Sequence, residues 1–152
     1  ERKIRAEITT DDIDFNIQRL GLWLKYNQKS AISKTEWESL AIASKPKLKG
    51  ELFVGVKYGH DGQHVAMSVA SKTNEGKIFV EALDCRTIRE GNDWILSYIA
   101  EMKPKTVVVD GANGQHILEK DMKDAKMKAP TLPTVKEIIG ANATFERKYL
   151  SF

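Results

Sequence analysis

The chain has 152 residues, of which 41% are hydrophobic and 30% charged. This length and composition are those of one globular domain with its own core, and they exclude a chain that is disordered throughout. No run approaches the roughly 20 apolar residues of a membrane helix, and the charged N-terminus lacks the apolar centre of a signal peptide, so a cytoplasmic protein is expected. The net charge of +3 permits an anionic partner such as DNA without requiring one.

Cysteine and histidine usage argues against a disulfide or zinc scaffold. The single cysteine, Cys85, has no partner for an internal disulfide and is interpreted as a packing residue of a strand. The three histidines lack the clustered spacing of a zinc site: His60, His64 and His116. The chain begins at Glu1 rather than Met, which suggests a fragment of a longer protein.

The first 50 residues are predicted to be a helical approach and a linker. Residues 33–36 (SKTE) have capping-box spacing, which predicts a helix that turns Trp37 and Leu40 inward and ends near Ser44. Residues 45–50 are basic and contain a proline and a glycine, which is typical of a linker into the main unit.

Three strands are predicted next, over residues 52–57, 63–71 and 77–83, because these runs are rich in Val, Phe and Ile. The turns between them, at residues 60–62 and 74–76, contain Asp, Asn and Gly, which tolerate positive φ. The three strands should therefore form an antiparallel meander.

Helices alternate with one very apolar strand in the remainder. The strand covers residues 106–109 and ends at Asp110, and its continuous valines suggest burial on both faces. Helices are predicted over residues 115–126 and, after a second capping box, from residues 134–137 onward. A short extended piece lies between them. An earlier helix, capped at residues 91–93, should bury one side: Trp94, Ile95, Tyr98, Ile99 and Met102.

This order predicts a mixed α/β fold in which the first and fourth strands lie side by side, so that the acids at their ends meet. Asp110 is the leading candidate, since ligands of open α/β sheets bind at that edge, although it can equally start the turn or cap the next helix. Asp61 can face Asp110, but Asp-Gly is also the commonest chemistry of a hairpin turn. Lys57 must either extend to the solvent or meet an anion, which can be a phosphate or the carboxylate of Asp61 or Asp110. Gly111 and Gly114 allow a backbone or a phosphate to approach.

Other charged residues have less specific interpretations. Glu81 and Asp84 come within reach of the same site only if the third strand is short, and solvation is the common alternative. Part of one helix face is predicted to be basic, which suits a phosphate backbone as well as plain solvation: Lys120, Lys123, Lys126 and Lys128.

Five segments, in their order along the chain, resemble parts of the large terminase subunits of tailed phages. Residues 14–23 (DFNIQRLGLW) and 32–37 (ISKTEW) resemble the stretch that joins the ATPase motor to the nuclease domain. Residues 53–61 (FVGVKYGHD) resemble the first nuclease hairpin, and residues 107–114 (VVVDGANG) the second acidic motif. Residues 132–145 resemble the helix that follows. The resemblance covers nearly the whole chain.

What the resemblance implies is a ribonuclease H-like α/β fold whose mixed sheet has three antiparallel strands and then parallel strands, flanked by helices. Residues 1–50 would be the helical linker from an ATPase motor that this chain lacks, and residues 51–152 the nuclease domain, truncated at its C-terminus. The implied activity is an endonuclease that cuts concatemeric double-stranded DNA during genome packaging in a bacterial host. Its partners would be the ATPase domain, the small terminase subunit and the portal protein.

The implied cofactors are two divalent ions, Mg²⁺ or Mn²⁺, about 4 Å apart, which carboxylates suit. Asp110 carries over as a metal ligand and catalytic residue. Many family members have an aspartate where this chain has Lys57, so the first metal ligand is either supplied by Asp61, as the second catalytic residue, or absent, and Lys57 is expected to contact DNA. The third acid of the family lies beyond the last helix, and the chain stops at Phe152.

Two other functions fit the sequence. One is a nuclease-like fold in which Lys57 has replaced a metal ligand. Such a protein would only bind DNA or contact the portal. The other is a sugar-kinase or actin-like phosphate binder, which also places an aspartate near a first hairpin but needs a partner lobe.

Overall fold

The computed structural model describes residues 32–150, the last three of them by their backbone alone. Residues 14–23, which carry part of the terminase resemblance, lie outside this range. The strands are β1 (Leu48–Tyr58), β2 (His64–Thr73), β3 (Ile78–Thr87) and β4 (Thr106–Asp110). The helices are α1 (Lys34–Ser39), α2 (Asp93–Met102), α3 (Gln115–Asp124) and α4 (Val135–Leu150), with a 3-10 turn at Ile88–Glu90.

The four strands form one mixed sheet in the order β3-β2-β1-β4. β1, β2 and β3 are the predicted antiparallel meander, and β4 lies parallel to β1 in a register that places Lys57 opposite Asp110. On its other side β4 forms a parallel bridge to Thr131, whose backbone N–H donates to the Val107 carbonyl at 2.8 Å. The mixed α/β class and the pairing of the first and fourth strands are therefore confirmed.

The core lies between one face of the sheet and helices α2 and α3. Because side chains alternate along a strand, every second residue of β2, and of β1 from Val54 onward, points to this face and is buried. The predicted inner side of α2 is confirmed except for Met102, which is only partly buried. The buried hydrophobic cluster is Val54, Val56, Tyr58, Val65, Met67, Val69, Leu83, Trp94, Ile95, Tyr98, Ile99, Val107, Val109, Leu118 and Met122.

The opposite face of the sheet is more open, and the prediction that β4 is buried on both faces is wrong. Val109 is fully buried, but Val108 is 36% exposed, and Phe53 and Val80 on the same face are exposed as well. The reason is that the helices of the core, α2 and α3, pack on one face only. A run of valines does not distinguish these cases, since valine is favoured in any strand.

Several boundaries also differ from the prediction. β1 begins at Leu48, so the end of the predicted linker is strand, with an irregular register before Leu52. α1 ends at Ser39 instead of continuing toward Ser44, and it buries no residue; Leu40 is exposed. Trp37 is partly buried, and neither it nor Leu40 belongs to the core cluster that the described residues form. The two capping boxes, at residues 33–36 and 134–137, are present.

Within residues 32–150, none of the helices combines the length and apolar character that a membrane crossing requires.

Candidate functional site

The ends of β1 and β4 bring Lys57 and Asp110 together. Their neighbours Val56 and Val109 point into the core, so both charged side chains project from the open face of the sheet. The Lys57 ammonium donates a hydrogen bond to Oδ2 of Asp110 and forms an ion pair with it. The side chains are 44% and 24% exposed, so the pair is partly screened from water. Of the three anionic partners expected for Lys57, namely phosphate, Asp61 and Asp110, the one that the structure shows is Asp110.

The turn after Asp110 is packed tightly onto the end of β1. Gly111 has φ +111°, and a Cβ atom there would lie 2.7 Å from Cβ of Tyr58. A Cβ atom on Gly114 would lie 2.7 Å from Cγ of the Tyr58 ring. Both distances are shorter than real carbon contacts, so side chains are excluded at both positions. The two glycines thus allow the close approach of Tyr58, where the sequence left backbone and phosphate as alternatives.

Asp61 lies in the β1–β2 hairpin, and its carboxylate is engaged there. Oδ1 accepts hydrogen bonds from the backbone N–H groups of Gln63 at 2.8 Å and His64 at 3.1 Å. Oδ2 lies 2.7 Å from Nδ1 of His64. The His64 hydrogen bond, followed by the Gln63 backbone bond, lowers the pKa of Asp61 to about 2. These contacts are those of a hairpin turn residue, and no described contact joins Asp61 to Asp110.

The hairpin and the β4–α3 turn nevertheless lie side by side. The side-chain amide of Asn113 donates to the backbone carbonyl of Gly59 at 2.8 Å. This bond joins the two loops at the edge of the sheet where Asp110 ends β4. Asn113 was not singled out from the sequence, and its only signal was its place inside the DGANG turn that follows the buried strand.

A polar relay lies beneath these loops. The Tyr58 hydroxyl donates to Oδ1 of Asn92 at 2.8 Å, and Nδ2 of Asn92 donates to Oδ2 of Asp121 at 2.8 Å. It connects β1 with the residue before α2 and with α3. Burial of the hydroxyl, with the Asp121 charge nearby, raises the pKa of Tyr58 to about 12. The relay was not predicted, because its members are far apart in sequence.

Glu81 and Asp84 do not reach the Lys57–Asp110 pair. Glu81 is 7% exposed and lies opposite Val69 on the core face of the sheet. β3 is longer than predicted, and a register irregularity places Asp84 opposite Met67, which is also a core residue. Asp84 accepts a hydrogen bond from Nε of Arg86 at 2.8 Å. The site hypothesis for these two carboxylates required a short third strand, so it is not supported.

The predicted basic helix face is shorter than expected. α3 ends at Asp124, so Lys126 and Lys128 lie beyond it, and Nζ of Lys128 donates to the Lys105 carbonyl at 3.2 Å. Lys120 and Lys123 remain on α3, where they line a shallow groove with His116, Glu119, Met127 and Ala129.

The donor set near Asp110 does not fit the pair of divalent ions that the terminase resemblance implies. Asp110 is bound by an ammonium group, and both Asp61 oxygens already have partners in the hairpin. Among residues 32–150, no three His, Cys, Asp or Glu side chains are grouped to hold a metal ion. Hard divalent ions require several oxygen ligands at once. Searches against protein-family models, curated proteins and solved structures found no match.

Proposed function

We propose that the chain is a ribonuclease H-like nuclease domain of the kind found in large terminase subunits of tailed phages, and that it acts on concatemeric double-stranded DNA. The observation that carries this proposal is the adjacency of β1 and β4. Residues 53–61 and 107–114, which resemble the first hairpin and the second acidic motif of that family, end at one edge of the sheet, joined by the Asn113–Gly59 hydrogen bond.

The strand arrangement supports the same proposal. A ribonuclease H-like sheet is expected to have three antiparallel strands followed by parallel ones. Here the meander of β1 to β3 is followed by β4 parallel to β1, and Thr131 adds a further parallel bridge beyond β4. Fold alone does not define an activity, so the functional argument rests on the residues at the edge.

The first candidate activity is hydrolysis of the DNA backbone. The chemistry that Mg²⁺ or Mn²⁺ would supply in such a nuclease is activation of water and stabilisation of the leaving oxygen. The resemblance assigns Asp110 as the ligand and catalytic residue of this candidate, a role that requires its carboxylate to be released from Lys57. Because the described donor set does not fit two ions, we assign no step to them, and Asp61 keeps its role in the hairpin. The ATPase motor, the small terminase subunit and the portal would be partners of the full-length protein.

The second candidate activity is DNA binding without cleavage, and the Lys57–Asp110 ion pair favours it. Lys57 is 44% exposed at the edge, and an ammonium group has three donors, so one can hold Asp110 while another contacts a phosphate. Asp110, the carboxylate that would otherwise hold a metal ion, then positions the lysine that contacts the phosphate.

Nicking of supercoiled plasmid in Mn²⁺ tests the first candidate, with wild type, Asp110→Asn and the matched control Asp124→Asn. Asp124 is an exposed residue at the end of α3. Cleavage is supported if wild type and the control nick the plasmid and Asp110→Asn does not. It is rejected if wild type is inactive or if Asp110→Asn retains full activity.

Fluorescence anisotropy with a labelled duplex tests the second candidate. Lys57→Ala should weaken binding and reduce its salt dependence, whereas Lys77→Ala, in the exposed β2–β3 turn, should not. A wild-type protein that neither nicks nor binds duplex DNA would refute both candidates.

A further inference from the structure

The structure places a cation of the protein itself beside Asp110. We propose that the Lys57 ammonium is a built-in substitute for a divalent ion, so that the chain does not bind Mg²⁺ or Mn²⁺ at Asp110 while Lys57 is present. This inference rests on the proposed function in one respect, namely that the edge of β1 and β4 is the working site.

The backbone fixes the pair. Lys57 and Asp110 are the last partners in a parallel register of five residue pairs that begins at Phe53 and Thr106. Directly opposite residues on neighbouring strands are only about 5 Å apart, so the backbone register keeps the Lys57 side chain within reach of Asp110. In the structure its ammonium group forms an ion pair with the carboxylate.

Apart from Asp110, the residues next to Lys57 across the open face supply no side-chain oxygen ligand for a divalent ion. The residues next to Lys57 across the open face are Ala66 on β2 and Cys85 on β3, and neither side chain has an oxygen. An ion at Asp110 would meet one carboxylate and one ammonium, whose opposite charges leave no net attraction. The ammonium already donates to Oδ2 of Asp110, so an ion bound by this oxygen would also have to displace a charge-assisted hydrogen bond.

The same geometry predicts how a metal site would be created. Lys57→Asp would place two carboxylates opposite each other on parallel strands, which is a suitable start for a hard cation. Lys57→Met would remove the ammonium and keep most of the aliphatic stem. Lys57 is 44% exposed on the open face of the sheet, so neither substitution disturbs the core.

The test is a titration with Mn²⁺ alone, followed by paramagnetic broadening of backbone amide signals in NMR spectra. Broadening at Gly111, which follows Asp110, is compared with that at Asp124 as an internal control. In wild type the two signals should broaden equally. In Lys57→Met and, more strongly, in Lys57→Asp, the Gly111 amide signal should broaden before that of Asp124. The dissociation constant of Mn²⁺ should be at least about tenfold lower than in wild type. Adding Asp110→Asn to either variant should abolish the difference.

Selective broadening of Gly111 in wild type, abolished by Asp110→Asn, would overturn the inference. So would Lys57→Met and Lys57→Asp proteins that are folded by circular dichroism and still show no selective broadening. If Lys57→Asp does not fold, the Lys57→Met result decides.

These outcomes are separable from those of the proposed function. A gain of Mn²⁺ binding in the variants, with no DNA binding by any protein, would leave the inference standing and refute the function. Mn²⁺-dependent nicking by wild type that requires Asp110 would support the function and overturn the inference.

Discussion

Gly114 packs directly against the aromatic ring of Tyr58, so that a Cβ atom at position 114 would lie 2.7 Å from Cγ of the ring. Gly111, three residues earlier, packs against the same tyrosine. Tyr58 is the last residue of β1 and is 2% exposed. The position of the turn that begins at Asp110 is therefore set by a buried side chain of the neighbouring strand.

We predict that Gly114→Ala destabilises the protein by about 1–3 kcal/mol, because the added methyl group forces Tyr58 or the turn to move. The measurement is the free energy of unfolding in urea. Gly140→Ala is the matched control, since Gly140 lies inside α4 and, among the described residues outside its own stretch of helix, no atom lies within 4 Å of a Cβ there. The control should gain up to about 1 kcal/mol, because alanine is the better helix former. Equal stability of Gly114→Ala and wild type would contradict the packing argument.

The Tyr58–Asn92–Asp121 relay should behave as a coupled unit. We predict that Asn92→Ala costs about 1–3 kcal/mol of stability, since it leaves the buried Tyr58 hydroxyl without its acceptor. In a double-mutant cycle with Tyr58→Phe, the second change should cost less once the first is made, with a coupling of about 0.5–3 kcal/mol. Asn74→Ala, in the exposed β2–β3 turn, is the control and should be near neutral. Strict additivity of Tyr58→Phe and Asn92→Ala would show that the hydrogen bond contributes nothing.

Alkaline titration gives an independent check on the same tyrosine. The pKa of Tyr58 is raised from 10.0 to about 12, first by burial and then by the Asp121 charge. Below pH 10 the Tyr58 hydroxyl is protonated in both the folded and the unfolded protein, so its contribution to the free energy of unfolding is complete. As pH rises from 10 to 12 the unfolded chain loses this proton and the folded one keeps it, so stability falls. The phenolate absorbance of wild type minus that of Tyr58→Phe should show one group titrating near pH 12. A midpoint near 10 in the folded protein would refute the burial argument.

The sequence was sufficient to predict which strands pair in the sheet, but it was insufficient to predict which side chains are covered or in contact. Runs of β-branched residues and Asp-Gly or Asn-Glu-Gly turns predict the meander. The apolar run 106–109, with valines at 107–109, predicts a strand that pairs with β1, as observed. The same run did not show that Val108 faces the open side, because composition does not report what covers a strand.

The candidate site was predicted in part. The meeting of Lys57 with Asp110 was one of the alternatives open to the sequence, and only the parallel register selects it. An Asp-Gly pair in a hairpin fits Asp61 both as a metal ligand and as a turn residue, so the sequence could not separate the two interpretations. The hydrogen bonds that Asp61 accepts from Gln63 and His64 are those of a turn residue. Tyr58 and Asn113 act through contacts between segments more than 50 residues apart, which no local pattern reports.

The hairpin carboxylate leads to a last prediction, at acidic pH. The pKa of Asp61 is lowered from 3.8 to about 2, chiefly by its hydrogen bond with His64. The charged carboxylate therefore contributes stability that is complete above pH 4 and is lost as pH falls toward 2, where the folded form also takes up the proton. Carbon-detected NMR of the carboxyl group should give a midpoint near pH 2 in wild type. In His64→Ala, which keeps the backbone bonds and removes the largest cause, the midpoint should move toward 3.8. His116→Ala, on α3, is the control and should leave it unchanged. An unshifted midpoint in His64→Ala would mean that the backbone N–H groups alone hold the carboxylate, and the Asp61–His64 bond would have no part in the turn.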